Sequence, residues 1–280
     1  MKKPAVNQKP LAKFTGTLLL VGAGKMGGAM LDGWIARGLS TRRISIVEPQ
    51  PAKAVKALTR RGVKVNAKGK PAEATAVVIA VKPQTAPEAV PPLGLSVGKS
   101  TLVLSIMAGR TIGFLEKALP PGAAIVRAMP NTPAAIGRGI AVAVANANVT
   151  ARQRKLATDL LGTIGKVEWV DDEALIDAVT ALSGSGPAYV FLLAEAMTKA
   201  GIAAGLPAEL AGRLARETVA GSGELLHRSD LDAATLRQNV TSPGGTTAAA
   251  LQVLMGPGGF DELLTKAIAA ATRRSRELAG

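Results

Sequence analysis

The segment TSPGGTTAAAL, residues 241–251, places small and hydroxyl-bearing residues directly before an alanine-rich run that is typical of a helix. Ser242 supplies a hydroxyl, and the two glycines leave the backbone bare. Thr246 and Thr247 lie at the expected first turn, where helix N–H groups have no intrahelical partner and attract anions. The alternative is an ordinary N-cap at Thr246 or Thr247. A cap needs only one suitable residue, however, whereas all six residues from 242 to 247 are small or hydroxyl-bearing or are proline. The turn therefore predicts a site for a small carboxylate with one polar atom beside it.

A second motif, Gly22-x-Gly24-x-x-Gly27, lies in TLLLVGAGKMGGAM. Gly22 permits a tight turn, Gly24 lets a pyrophosphate approach the backbone, and Gly27 allows close packing of helix and strand. The motif alone is weak evidence, but a predicted strand precedes it, and a helix and a second strand follow in the required order. This order predicts a dinucleotide cofactor.

Glu48 ends the second predicted strand, where an acid binds the ribose 2′-hydroxyl of NAD and repels the 2′-phosphate of NADP. The basic run that begins at Lys53 favours the opposite choice. Glu48 is equally placed to cap the next helix, so this position leaves NADH and NADPH open.

Two further predicted strand ends have a claim on the cofactor, because ligands of doubly wound folds lie beyond the carboxyl ends of the strands. Lys82, in the segment AVKP, is either a phosphate or ribose contact or an exposed loop lysine. The segment SIMAG, residues 105–109, is small enough for a nicotinamide to lie against it.

The reaction is limited by the reactive side chains that the chain contains. It has no cysteine and one histidine, His227, which excludes thiolate and His-pair metal sites, and no metal is expected. His227 lies near a predicted helix end, where a cation favours the helix dipole, so we interpret it as structural. Alcohol oxidation usually requires a His or Lys base. Imine reduction requires only orientation and one hydrogen bond to nitrogen, which a threonine hydroxyl can donate.

These motifs require elements that hold them in place, and the pattern predicts an α/β chain. A flexible extension is expected over residues 1–14, a parallel-sheet domain over 15–170 and an all-helical domain over 171–280. The predicted strands are Thr17–Val21, Ile44–Val47, Val63–Val65, Val77–Val81, Leu102–Ser105, Ala124–Arg127, Ile140–Val144 and Lys166–Val170. The predicted helices are Met26–Arg37, Ala52–Arg61, Ala151–Leu161, Glu173–Leu182, Pro187–Ala200, Pro207–Leu226, Ala233–Val240, Thr247–Met255 and Phe260–Leu278.

The formal net charge of +14 does not by itself indicate a nucleic-acid partner. Residues 1–70 hold 15 Lys and Arg against only Asp32 and Glu48, and the rest of the chain is nearly balanced. Aromatic residues, which would interleave with basic ones in a nucleic-acid surface, are scarce in this segment. We therefore expect a solvated basic face and no nucleic-acid partner.

No apolar run approaches the ~18 residues of a membrane span, so we expect no membrane contact and a cytoplasmic protein.

The segments VGAGKMGGAM, AVKP, RAMPNTP, DAVTALSGSGPAYVF and NVTSPGGTT together resemble the pyrroline-5-carboxylate reductases, which catalyse the last step of proline synthesis. The resemblance runs from about Leu18 to the C-terminus, and SGSGPAY and SPGGTT are its most specific parts. It implies a Rossmann dinucleotide-binding domain followed by a helical dimerisation domain. The implied activity is hydride transfer from NAD(P)H to 1-pyrroline-5-carboxylate, in a homodimer that in many members forms a ring of dimers.

The resemblance also implies roles for individual residues. The hydroxyl of Thr247 would hydrogen-bond the substrate ring nitrogen as the catalytic contact. The carboxylate-binding residues would be Ser242, Gly245, Thr246 and Thr247. Together with the motifs above, the expected cofactor-binding residues are Val21, Gly22, Ala23, Gly24, Lys25, Met26, Gly27, Glu48, Ala80, Val81, Lys82, Pro83, Ile106, Met107, Ala108 and Asn131. Many members carry a small hydroxyl residue in place of Glu48, so the choice of cofactor stays open, with a slight expectation of NADPH.

Two other functions are compatible with part of the pattern. A β-hydroxyacid dehydrogenase would need a lysine base early in the helical domain, and Lys199 is the candidate. A non-catalytic dinucleotide-binding protein would have no use for the turn at 242–247.

Overall fold

The computed structural model describes residues 10–67 and 72–279, which form two compact units. One unit holds Ser185–Ala270. The other holds the described residues up to Gly184 together with the described residues from Ala271 onward.

The larger unit is built on an eight-stranded sheet, and each strand predicted from the sequence is present. The strands are β1 Leu18–Val21, β2 Ile44–Val47, β3 Lys64–Val65, β4 Ala76–Ile79, β5 Leu102–Ser105, β6 Ala124–Pro130, β7 Gly139–Ala145 and β8 Gly165–Trp169. Their order is β3-β2-β1-β4-β5-β6-β7-β8, so the first six strands have the Rossmann arrangement.

The pairing of β7 departs from the parallel sheet that the sequence pattern predicted. β7 runs antiparallel to β6, whereas β8 runs parallel to β7. The connection from β6 to β7 holds only a short 3-10 turn, Thr132–Ile136. A parallel crossover needs a dozen or more residues, so the chain reverses direction here.

Helices surround the sheet and build the second unit. The helices are α1 Lys25–Ala36, α2 Lys53–Ala57, α3 Ala86–Ala89, α4 Ile112–Ala118, α5 Ala151–Leu161, α6 Leu175–Val179, α7 Gly186–Ala203, α8 Ala208–Arg228, α9 Ala233–Asn239, α10 Thr246–Leu254 and α11 Phe260–Ala279. The predicted helix at 52–61 is shorter than expected and continues as a 3-10 turn over Leu58–Arg61. Gly62 then ends it in the left-handed region, with φ of 93°.

Two buried apolar clusters lie on the sheet, because the side chains of each strand alternate between its faces. Leu18, Leu20 and Val78 belong to one cluster, together with residues of α1 and α5. Val77 and Ile79 belong to the other. Both faces of the sheet are therefore covered, which explains the continuous apolar runs of its strands.

Residues 171–184 pack with the sheet rather than with the helical unit. Ile176 is 1% exposed within a core cluster of the sheet unit. The carboxylate of Asp177 accepts a 2.7 Å hydrogen bond from Ser275 near the end of α11. Because α6 packs against the sheet, the two compact units divide after Gly184. The domain boundary at residue 170 stays a prediction.

The helical stretch Leu175–Ala203 is long and apolar enough, by length and composition, to cross a membrane. A single stretch of this kind is weak evidence for a membrane span, so the expectation of no membrane contact stays a prediction. The stretch is rich in alanine and leucine and combines α6, a π-helical turn at Thr180–Gly184, and α7. The part of the chain that the structure describes holds no second stretch of this kind.

Candidate active site

The glycine motif forms the turn between β1 and α1. Gly22 has φ of 92°, and a Cβ there would lie 2.7 Å from the carbonyl oxygen of Ala80. A Cβ on Gly27 would collide with the carbonyl oxygen of Gly22. Around Gly24, by contrast, no described residue beyond its two chain neighbours has an atom within 4 Å of the Cβ position. The turn, the close packing and the open approach match the three roles that the motif predicts, and a pyrophosphate fits beside Gly24.

The start of α1 adds hydrogen-bond donors at the same place. Gly24 is the N-cap in an extended conformation, and none of the described side chains caps the helix. The N–H of Gly28 donates to the carbonyl of Gly24 at 2.7 Å. The N–H groups that precede Gly28 on α1 have no intrahelical acceptor, so they are available to phosphate oxygens.

Glu48 lies directly after β2 and is bonded to the glycine turn. One carboxylate oxygen accepts a 2.8 Å hydrogen bond from the N–H of Ala23, and the other accepts a 3.1 Å bond from the N–H of Gln50. The Asn66 side chain brackets the backbone of Glu48, accepting from its N–H at 2.9 Å and donating to its carbonyl at 2.8 Å. The carboxylate is therefore fixed beside the expected ribose position rather than free in solvent.

The Arg110 side chain, which the sequence analysis did not identify, joins the loops that follow β4 and β5. The Nε of Arg110 donates a 3.0 Å hydrogen bond to the carbonyl of Pro83, and its guanidinium lies 4.8 Å from the centre of the Phe114 ring. Arg110 thus connects the AVKP segment to the SIMAG segment. Lys82 itself is exposed, so its side chain is free to extend toward a ligand.

Several expected cofactor residues have their side chains in the core. Val21 and Met107 are each 2% exposed and pack in the same apolar cluster. Ile106 is buried as well, whereas Ala108 is half-buried. Any contact of the three buried residues with a cofactor would have to use their backbone atoms.

Asn131 holds the end of β6 in place. Its side-chain oxygen accepts a 3.0 Å bond from the N–H of Ile140, and its amide donates to Ser183 at 3.3 Å. These bonds join the β6–β7 connection to the π-helical turn that contains Ser183. Its expected role in cofactor binding stays a prediction.

The turn at 242–247 lies in the helical unit and leads into α10. Gly245 is the N-cap of α10, and none of the described side chains caps it. Gly244 has φ of 70°, and a Cβ on Gly245 would lie 2.5 Å from the Ser242 hydroxyl. The structure therefore excludes an ordinary threonine cap. It leaves the first N–H groups of α10 beside the hydroxyls of Thr246 and Thr247, an arrangement that suits a carboxylate.

Arg127 is a buried charge that sequence reasoning did not identify. Its side chain is 4% exposed and pairs at 2.7 Å with Glu173, whose carboxylate also accepts a 2.8 Å bond from the N–H of Ile112. Within the described residues, Nε and the second terminal nitrogen of Arg127 have no hydrogen-bond partner. The arginine within the apolar strand segment AIVRAM could have indicated this pair, because a charge buried in a strand requires a partner.

Lys199 and His227, the side chains considered as catalytic bases, are both exposed on helices of the helical unit. Lys199 is exposed and pairs with Glu195 at 2.6 Å along the surface of α7. The Lys199 ammonium lowers the pKa of Glu195 through this hydrogen bond. His227 lies in the last turn of α8, near a helix end as expected, and its structural role stays a prediction. The described part of the chain contains no cluster of three or more metal-binding side chains.

Comparison with known protein families gives two matches on this chain. Residues 173–278 match the family profile described as pyrroline-5-carboxylate reductase dimerisation. Residues 17–109 match the profile described as NADP oxidoreductase, coenzyme F420-dependent. The first match covers the helical unit and the second covers the dinucleotide turn.

Individual relatives extend the similarity over nearly the whole chain. A pyrroline-5-carboxylate reductase of Pseudomonas aeruginosa is 41% identical over 95% of this chain and 97% of its own length. The crystal structure of a pyrroline-5-carboxylate reductase from Coxiella burnetii is 37% identical, with a TM-score of 0.87 over 95% of this chain and 99% of the other. A Plasmodium falciparum pyrroline carboxylate reductase with NADP bound is 29% identical, with a TM-score of 0.80, over 95% and 99% of the two chains.

Proposed function

Because the chain belongs to the pyrroline-5-carboxylate reductase family, we propose that it reduces 1-pyrroline-5-carboxylate to L-proline with NAD(P)H, the last step of proline synthesis. The observation that carries this proposal is the uncapped start of α10 at the SPGGTT turn, in a chain that also carries a dinucleotide turn. The first suits a carboxylate and the second suits a pyrophosphate.

On the cofactor side, this chain's contribution is to bind and orient. The turn Val21–Gly27 would hold the pyrophosphate, with the open space at Gly24 admitting it. Glu48 would lie at the adenosine ribose, and the residues Ala80–Pro83 and Ile106–Ala108 would flank the rest of the cofactor, with Asn131 nearby. Reduced nicotinamide, when bound, supplies a hydride.

On the substrate side, Ser242 and the amides of Gly245, Thr246 and Thr247 would hold the carboxylate. This anchoring would leave the ring nitrogen within reach of the Thr247 hydroxyl. A protonated imine is already electrophilic, so the chain needs to orient it and to hydrogen-bond its nitrogen as the carbon–nitrogen double bond becomes single. No strong base is needed for this reaction, in agreement with the placement of Lys199 and His227 on the surface of their helices.

The proposal is tested by replacing Thr247. Purified protein with 1-pyrroline-5-carboxylate should consume NADH or NADPH, and Thr247→Ala should lower kcat/KM by roughly 10- to 100-fold, the effect of one lost catalytic hydrogen bond. Thr247→Ser keeps a hydroxyl and should restore most of the activity. Thr265→Ala is a matched control, because that hydroxyl donates to the Asp261 carbonyl within α11. Absence of turnover with either cofactor would reject the function, and unchanged kinetics of Thr247→Ala would remove Thr247 from the mechanism.

We also propose a soluble, cytoplasmic enzyme that assembles as a homodimer, with dimers arranged in a ring. Support for assembly is the exposure of large apolar side chains in the helical unit, including Phe191 at 69% and Leu192 at 61%. Such side chains exposed together indicate an interface. Light scattering on the purified protein would give the mass of the assembly and decide between a dimer and a larger ring.

A further inference from the structure

We propose that Glu48 makes this chain prefer NADH to NADPH, an inference that rests on the proposed function and specifies its cofactor. It opposes the slight expectation of NADPH from the family resemblance. Three features support it: the fixed position of the carboxylate, the scarcity of free backbone N–H groups over residues 48–51, and the placement of the nearby cations.

The carboxylate is fixed in front of the glycine turn. Its two oxygens accept from the N–H groups of Ala23 and Gln50 at 2.8 and 3.1 Å, and each oxygen can accept a further bond. Asn66 holds the backbone of Glu48 through two more bonds. A carboxylate in this position accepts from a ribose 2′-hydroxyl with little loss of side-chain entropy, whereas it repels a 2′-phosphate.

The loop after β2 offers few backbone donors to a 2′-phosphate. The N–H of Glu48 is bonded to Asn66, and that of Gln50 is bonded to the Glu48 carboxylate. Pro49 and Pro51 have no N–H at all. Through residue 51, every N–H of this loop is therefore either absent or already bonded. An NADP site normally supplies donors or an arginine here to offset the added negative charge.

The cations of this region do not replace those donors. One terminal nitrogen of Arg43 donates to the carbonyls of Thr15 and Gly16, which holds the guanidinium beside that segment. Lys53 and Lys56 are exposed on α2, where solvent screens their attraction for phosphate. A fixed carboxylate in contact with the ribose therefore outweighs a solvated basic face.

The test measures cofactor binding without substrate, by titrating NADH and NADPH into the purified full-length protein and following nicotinamide fluorescence. The native protein should bind NADH roughly 10- to 100-fold more tightly, the range expected for one charged hydrogen bond gained and one repulsion avoided. Glu48→Ser should weaken NADH binding, strengthen NADPH binding and bring the two affinities together. Glu48→Gln keeps an acceptor for the Ala23 N–H but removes the charge, so it should strengthen NADPH binding specifically. The exposed Glu168 provides a matched control, because Glu168→Ser removes a carboxylate of the same unit and should leave both affinities unchanged.

Circular dichroism of the Glu48 variants checks that they fold, and Glu48→Gln keeps the test available if Glu48→Ser does not. Native protein that binds NADPH as tightly as NADH, or that binds neither cofactor, would overturn the inference, as would a Glu48→Gln affinity ratio equal to the native one. The proposed function is judged separately by turnover. Turnover with a preference for NADPH would refute only the role of Glu48, whereas a preference for NADH without turnover would refute only the reaction.

Discussion

Replacing Glu173 by glutamine should destabilise the sheet unit, because the Arg127 charge would then lie buried without a counter-charge. The Arg127 side chain is 4% exposed and that of Glu173 is 30% exposed, and their closest atoms are 2.7 Å apart. Two other nitrogens of Arg127 already lack a hydrogen-bond partner within the described residues. The guanidinium therefore depends on this carboxylate for its compensation.

The magnitude follows from which interactions each variant removes. Removing one partner of a buried ion pair costs about 3–5 kcal/mol, and the partial exposure of Glu173 places this case lower, at about 2–3 kcal/mol. Glutamine still accepts from the N–H of Ile112, so that bond survives in Glu173→Gln. Glu173→Ala removes it too and should cost about 1–3 kcal/mol more.

The assay is thermal and urea unfolding at one fixed protein concentration, because assembly makes the midpoint depend on concentration. For a unit of this size, Glu173→Gln should lower Tm by roughly 4–12 °C. Glu168→Gln replaces an exposed carboxylate on β8 and should change stability by no more than about 0.5 kcal/mol. If Glu173→Gln and Glu168→Gln are equally stable, Arg127 does not need the Glu173 carboxylate for charge compensation, and the reasoning is refuted. It is also refuted if Glu173→Ala is as stable as Glu173→Gln.

Two other predictions concern the glycine turn and the apolar face. Gly27→Ala should destabilise the unliganded protein by about 1–3 kcal/mol, because the new methyl group meets the Gly22 carbonyl. Gly24→Ala should lower the unfolding midpoint less than Gly27→Ala does, because no neighbour meets the new methyl group and only a poorer N-cap results. It should weaken cofactor binding tenfold or more, an effect of about 1.4 kcal/mol. Equal behaviour of the two variants would contradict the assigned roles. Phe191→Asp should shift the assembly to smaller species in sedimentation velocity, since it places a charge among exposed apolar side chains. An unchanged sedimentation coefficient would exclude Phe191 from the interface.

Local sequence patterns were sufficient to predict most of the secondary structure. Strands β1 to β8 and the helices of the second unit were found because apolar period, β-branching and glycine position are properties of neighbouring residues. Gly62, which directly follows the predicted helix at 52–61, has a φ of 93°, a backbone conformation that glycine favours. Helices α3 and α4, each seven residues or shorter, were not predicted, because such short helices have too weak a period.

The sequence by itself also indicated the family, through short segments such as SGSGPAY and SPGGTT. Only the tertiary structure showed that the Glu48 carboxylate bonds the N–H of Ala23, that Arg110 joins two cofactor loops, and that Arg127 pairs with Glu173. These partners lie between 25 and 46 positions apart along the chain. Their contact depends on the order in which the strands lie in the sheet, which no local pattern specifies. Periodicity reports which face of an element is buried, whereas the partner of a polar side chain is decided by the way distant elements pack.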